Sequence, residues 1–206
     1  MAVGRLSLSA NTTADDNTGV GYNSLGSNTT GAGNTAVGQS ALSANTTASD
    51  NTAVGYQAAV NTTTGANNVA VGRKAMHTNT TGDNNVSVGF NSMFFNTSGA
   101  DNAALGVNAL QANTTGNYNA AVGRKALTAN TTASENTAVG YAALQANTTG
   151  AGNVAVGKDA LFDHTTGNGN TAIGFGAAAN ATDPDHSVFV GYEAAGNGTL
   201  TFFFFF

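Results

Sequence analysis

NTAVGYAALQANTTGAG, residues 136–152, decides the fold, because the rest of the chain is built from copies of it. One glycine marks each copy. Gly4, Gly21, Gly38, Gly55, Gly72, Gly89, Gly106, Gly123, Gly140, Gly157, Gly174 and Gly191 follow one another at intervals of 17 residues, with no insertion or deletion. A strict short period means that each copy stacks on its neighbour as one unit of a quasi-one-dimensional array. Gly and Asn recur too often for a helix of ordinary length, and no helical apolar stripe survives a full repeat. The sequence therefore predicts an all-β fold, a parallel β-solenoid of about twelve 17-residue coils. Stacked at about 4.8 Å per coil, these make a rod roughly 55 to 60 Å long.

Within NTAVG, alternate residues share one face of a strand. The fourth position is Val20, Val37, Val54, Val71, Val88, Leu105, Val122, Val139, Val156 and Ile173 through the body of the chain, an unbroken apolar column predicted to face the core. Four residues past each glycine a second apolar column contains Leu25, Leu42, Leu110, Leu127, Leu144 and Leu161, predicted to meet the valines across the coil. The third and fifth positions hold Ala36, Gly38, Ala53, Gly55, Ala70, Gly72, Ala121, Gly123, Ala138, Gly140, Ala155 and Gly157. Side chains this small let two backbones approach closely, so this face is the predicted subunit-packing surface. The Asn column that opens the repeats and the Thr column within ANTTG read as polar ladders, the latter at a turn. Residues 1–201 form one solenoid domain with an atypical capping repeat from about 183, where DPDH replaces the usual turn; Phe202 to Phe206 fit no repeat position and are expected to be non-native or disordered.

Charged residues are 8% of the chain and the formal net charge is −5, so nucleic acid is not an expected partner. No apolar run approaches the roughly 20 residues of a membrane span, and no leader pattern opens the sequence, so membrane insertion is not expected. With no cysteine and three histidines at unrelated repeat positions, neither a catalytic constellation nor a metal or other cofactor site is expected; the chain reads as a non-enzyme. Acidic residues near the turn lack the glycine pattern of calcium rolls. Asn11, Asn28, Asn45, Asn79, Asn96, Asn113, Asn130 and Asn147 match the glycosylation triplet, but turn and ladder chemistry explains them better. Tyr22, Tyr56, Arg73, Phe94, Phe95, Arg124 and Tyr141 are candidate contacts to a receptor or glycan, Phe94 and Phe95 because that corner is otherwise small or polar.

NTAVG, NVAVG (68–72 and 153–157), NVSVG (85–89) and NTAIG (170–174), each leading into an apolar position and ANTTG, resemble tail-fibre-like repeats of bacterial and viral proteins. They are also similar to the YadA-like heads of trimeric autotransporter adhesins, whose somewhat shorter N-S-V-A-I-G repeats form a left-handed parallel β-roll. The resemblance covers residues 1–201. It implies a left-handed roll, a homotrimer, a place outside the cell or on a virion, and adhesion through a rigid shaft or head. Two further readings stand beside it, an ice- or glycan-binding solenoid and a self-assembling extracellular filament.

Overall fold

The computed structural model describes residues 1–195; the phenylalanine run at 202–206 lies outside them. Among the described residues there are twelve strands and no helix. The strands are β1 (Ala2–Val3), β2 (Thr18–Val20), β3 (Thr35–Val37), β4 (Thr52–Val54), β5 (Val69–Val71), β6 (Val86–Val88), β7 (Ala103–Leu105), β8 (Ala120–Val122), β9 (Thr137–Val139), β10 (Val154–Val156), β11 (Thr171–Ile173) and β12 (Val188–Val190). They form one parallel sheet in sequence order, and each strand pairs only with the strands of the coils before and after it. The register is the repeat itself, Thr35↔Thr52, Ala36↔Ala53 and Val37↔Val54 being representative. Two neighbouring strands of identical pattern gain nothing from slipping, because a one-residue shift would turn every side chain to the opposite face.

Outside its three-residue strand, each coil closes through left-handed backbone. In the coil from Asn34 to Asp50 these residues are Ser40 (φ 57), Leu42 (φ 48) and Asp50 (φ 59). The leucines repeat this conformation, with φ near 50 at Leu25, Leu110, Leu127, Leu144 and Leu161. A bulky residue in this region costs about 1–2 kcal/mol, which burial of its side chain, at about 2–3 kcal/mol, offsets. The strained turn drives the leucine into the coil, where all six are fully buried.

What faces those leucines is alanine rather than valine, and here the structure corrects the sequence reading. Ala36, Ala53, Ala70, Ala121, Ala138 and Ala155 are buried inside their own chain and form the core with the leucines and the alanines three residues beyond the corner glycine, such as Ala41 and Ala58. They are not available to another subunit, and Gly38, Gly55, Gly72, Gly123, Gly140 and Gly157 sit half-buried at the corner rather than on an open packing face. Val20, Val37, Val54, Val71, Val88, Leu105, Val122, Val139, Val156 and Ile173 point out of the coil; Val37 is 37% exposed where Ala36 is 0%. The reason is thickness. The two walls of the coil lie so close that one leucine per coil fills the interior opposite a methyl group; at Gly19 even an added Cβ would lie 3.3 Å from the Leu8 side chain and 2.5 Å from the Ser7 hydroxyl.

Polar ladders complete the interior. Asn34 donates from its amide to the Ala48 carbonyl of its own coil (2.8 Å), and its Oδ1 accepts the backbone N–H of Asn51 in the next coil (3.0 Å). Asn45 belongs to a second asparagine ladder, donating to the Asn28 Oδ1 (2.8 Å) and to the Ala48 carbonyl (3.0 Å). Beside it the Thr29 hydroxyl donates to the Thr46 carbonyl (2.9 Å), and the pattern continues to Thr148. Buried amides placed this way satisfy backbone groups that no apolar side chain could.

The second asparagine ladder breaks where Thr62 and His164 replace asparagine. At both breaks the asparagine of the preceding coil, Asn45 or Asn147, is left with a buried Oδ1 that has no partner, and the Thr62 hydroxyl is itself unpaired. Thr62→Asn restores a donor to Asn45 Oδ1 and an acceptor for Asn79, and is expected to stabilise the chain by about 1–2 kcal/mol. Denaturant unfolding that gave no gain would refute this account of the break.

Candidate functional site

The outer face of the sheet is a continuous surface that runs through all twelve strands. Along each strand the second and fourth residues of the repeat point outward, giving a column of Thr, Val and Ala beside the column of Val, Leu and Ile. Val88, Leu105, Val122, Val139 and Ile173 are each more than one-third exposed. Eleven strand spacings make this face about 50 Å long, and with the residue beyond the corner glycine it is about 15 Å wide. Of this footprint the apolar part is the narrower column of Val, Leu and Ile, flanked by threonine hydroxyls on one side and by Gln39, Arg73, Arg124 and Lys158 past the glycine on the other.

Opposite charges border this face. All six Lys and Arg residues (Arg5, Arg73, Lys74, Arg124, Lys125 and Lys158) lie one or two residues past the glycine that ends a strand. Seven of the eleven acidic residues (Asp15, Asp16, Asp50, Asp83, Asp101, Glu135 and Asp185) lie in the two or three positions before a strand begins. These seven carboxylates are all exposed. The rims stand about 20 Å apart across a chain, beyond the screening length of physiological salt, so they do not neutralise each other within one molecule. Among the described residues the Lys–carboxylate ion pair is Lys158–Asp159 (3.2 Å), while His164 Nδ1 lies 3.7 Å from the Asp183 carboxylate, and neither contact joins the rims.

The basic rim is ordered by stacking. Arg73 lies over both Tyr56 (5.6 Å) and Phe90 (5.4 Å); Arg124 lies over Tyr141 (5.7 Å), and Lys158 over Phe175 (4.9 Å), whose ring stacks on Tyr192 (5.2 Å). Five of the candidate contacts, Tyr22, Tyr56, Arg73, Arg124 and Tyr141, therefore belong to one column, and Phe90, Lys158, Phe175 and Tyr192 extend it. Their common place in the repeat was the sequence signal that unites them. Where neighbours cover the ring faces, as in Tyr56–Arg73–Phe90, a sugar has little flat surface to stack on.

Phe94 and Phe95 stand elsewhere, on the corner after Met93, which takes the leucine position in this coil. His77, one repeat earlier, stacks on Phe94 (4.7 Å, 8° between planes), Phe95 meets Phe94 edge-on (4.7 Å), and Lys74 approaches the same ring (5.9 Å). Partial burial, with Lys74 nearby, holds the His77 imidazole below its usual pKa. The 17-residue offset between His77 and Phe94 would have revealed this pair.

At the far end the ladders stop against acidic side chains. Asp183 accepts from the Thr165 N–H (2.6 Å), the Thr165 hydroxyl (2.7 Å) and the Thr166 N–H (2.9 Å), taking the place of the threonine carbonyl used in most earlier coils. Desolvation pushes this carboxyl up, but the three hydrogen bonds and His164 outweigh it and hold it well below the usual carboxylate range. Of the glycosylation triplets, Asn28, Asn45, Asn79, Asn96, Asn113, Asn130 and Asn147 are fully buried with their amides bonded in the ladder, so no glycosyl transferase can reach them in the folded rod.

No protein-family model, no curated protein and no solved structure matches this chain. The fold and its surfaces define a class: a single-chain parallel β-solenoid repeat protein with one apolar sheet face between rims of opposite charge. Among the described residues no group of three or more His, Cys, Asp or Glu is placed to hold a metal, and no helix is long and apolar enough to cross a membrane.

Proposed function

We propose that this chain is a structural and adhesive rod, a shaft or head segment of a viral tail fibre or a cell-surface adhesin. In this reading it works outside the cell or on a virion as a homotrimer of left-handed rolls. The observation that carries the proposal is the outer valine face: the stack leaves a continuous column of Val, Leu and Ile partly uncovered along its length. Solvated β-branched columns of this extent are an association surface, and copies of the same rod have the matching length. The repeat motif points the same way through its resemblance to trimeric heads. The corner where the exposed Phe95 stands beside the half-buried Lys74, His77 and Phe94 then supplies the local irregularity through which such a shaft would contact a receptor.

Light scattering tests this reading. At micromolar concentration the chain is expected to have three times its monomer mass, and Val122→Lys with Val139→Lys to return it to a monomer. Both side chains already face solvent in the single chain, so circular dichroism of the variant should be unchanged. A wild-type monomer would refute the assembly.

A further inference from the structure

We infer that the cationic column beside the sheet binds a linear acidic polysaccharide laid along the rod; this rests on the reading of the chain as an adhesive rod and names the class of partner it takes. Arg5, Arg73, Lys74, Arg124 and Lys125 each follow a corner glycine by one or two residues, and at those two positions no carboxylate occurs before Asp159. Consecutive coils are about 4.8 Å apart, so Arg5 and Arg124, seven coils apart, mark out a line of positive charge about 34 Å long. The acidic rim about 20 Å away lies beyond the screening length of physiological salt. A chain with a net charge of −5 therefore still presents a positive local potential along this edge.

The cations are unpartnered and held in place. Arg73 lies between the Tyr56 and Phe90 rings, Arg124 lies over Tyr141, and both arginines are exposed. Neither has a carboxylate partner among the described residues, whereas Lys158 is already paired with Asp159 (3.2 Å). A guanidinium held over a ring keeps its N–H donors free, and that planar fork takes sulfate or carboxylate oxygens two at a time.

Spacing selects the shape of the ligand. Arg73 with Lys74, and Arg124 with Lys125, form two dibasic pairs three coils apart, about 14 Å along the rod. The two coils between them carry the neutral Phe90, Asn91, Val107 and Asn108 at the same positions. One small anion cannot meet both pairs. A linear polymer with anionic groups along its length meets both, and once the first pair is engaged the second acts at high effective concentration. Single-stranded nucleic acid also carries regular charge, but it draws much of its affinity from bases stacked on open aromatic faces. Here Arg73 occupies one face of Tyr56 and one of Phe90, and Arg124 one of Tyr141. Sulfate and carboxylate groups need no such face.

Titration calorimetry with heparin tests this, using one oligosaccharide long enough to span both dibasic pairs and one too short to do so. The long form is expected to bind at low salt and to weaken at least about tenfold between about 0.05 and 0.5 M salt. The short form should bind at least about tenfold more weakly. A polyuronate of the same length separates the two anionic groups: binding to both polymers assigns the column to acidic glycans in general, binding to heparin alone to sulfated ones. Arg124→Gln with Lys125→Gln is expected to lower the affinity of the long form at least about tenfold, while Asp101→Asn on the acidic rim leaves it within about twofold. The side chains exchanged lie at the surface or half-buried, so circular dichroism should not change. Equal affinity for long and short forms, or an Asp101→Asn effect as large as that of the dibasic pair, would overturn the inference. Tighter binding of a single-stranded DNA of the same length would also overturn it, giving the column to nucleic acid. A trimer that bound neither polymer would overturn this inference and leave the assembly standing. A monomer that bound heparin through these pairs would remove the assembly and keep the site.

Discussion

Asn102→Ala is expected to lower stability by about 3–5 kcal/mol, a large fraction of what holds an ordinary domain together. Asn102 is 1% exposed. Its Oδ1 accepts from the Asn119 backbone N–H (2.9 Å) and side-chain amide (3.1 Å), and its own amide donates to the Gly116 carbonyl (2.9 Å) and the Asn85 Oδ1 (3.2 Å). Truncation leaves the Asn119 N–H buried with no acceptor, while the Gly116 carbonyl keeps only its bond from Asn113 (3.0 Å). One orphaned buried donor costs about 1–3 kcal/mol; the lost side-chain bonds and the small void supply the rest. Because each coil is supported only by its neighbours, the damage should appear first as faster amide exchange in the coils on either side. Thr115→Ala, which removes an exposed hydroxyl at the corner of the same coil, is the control, expected within about 0.5 kcal/mol of wild type. Chemical denaturation giving Asn102→Ala a loss below 1 kcal/mol would show that the ladder is decorative.

Gly106→Ala is expected to have an effect of similar size for a different reason. Gly106 has φ 140, a conformation essentially restricted to glycine, and a Cβ there would lie 2.5 Å from the Gly123 carbonyl oxygen and 2.6 Å from its carbon. Those atoms belong to the backbone of the next coil, which cannot retreat without opening the sheet. Conformational strain of about 1–3 kcal/mol adds to an overpacking penalty of similar size. Gly191 separates the two contributions: it has φ 132, but the nearest atom to its added Cβ is that of Ala194 at 4.0 Å. Gly191→Ala should therefore show the strain alone. Thermal melts in which the two variants lost equal stability would remove the close approach of coils as the cause.

These two residue types were the legible part of the chain. Asparagine and glycine recur at fixed offsets because each interacts with its own counterpart in the next coil, so the interaction is written into the period. Thr62 and His164 could be recognised as interruptions for the same reason. The inside and outside of the strand were not legible in this way. Alternation predicts that Ala138 and Val139 face opposite sides but leaves open which faces inward, and apolar size favours valine. That preference fails because a coil with three-residue strands encloses room for Leu144 and little else, so methyl groups line the wall and the larger residues are turned out. The left-handed leucines were hidden as well, since local preference opposes φ near 50 for such a side chain and only burial against the next coil compensates.

By itself, then, the sequence determined the stacking, the parallel register and the polar ladders, all consequences of a repeat that meets itself at every level. Only the tertiary structure decided which apolar column is core and which is surface, because that depends on the distance between the two walls of a coil, a quantity that no single repeat contains. The reversal closes the Ala–Gly column inside the chain and leaves the valine face and its charged rims on the surface.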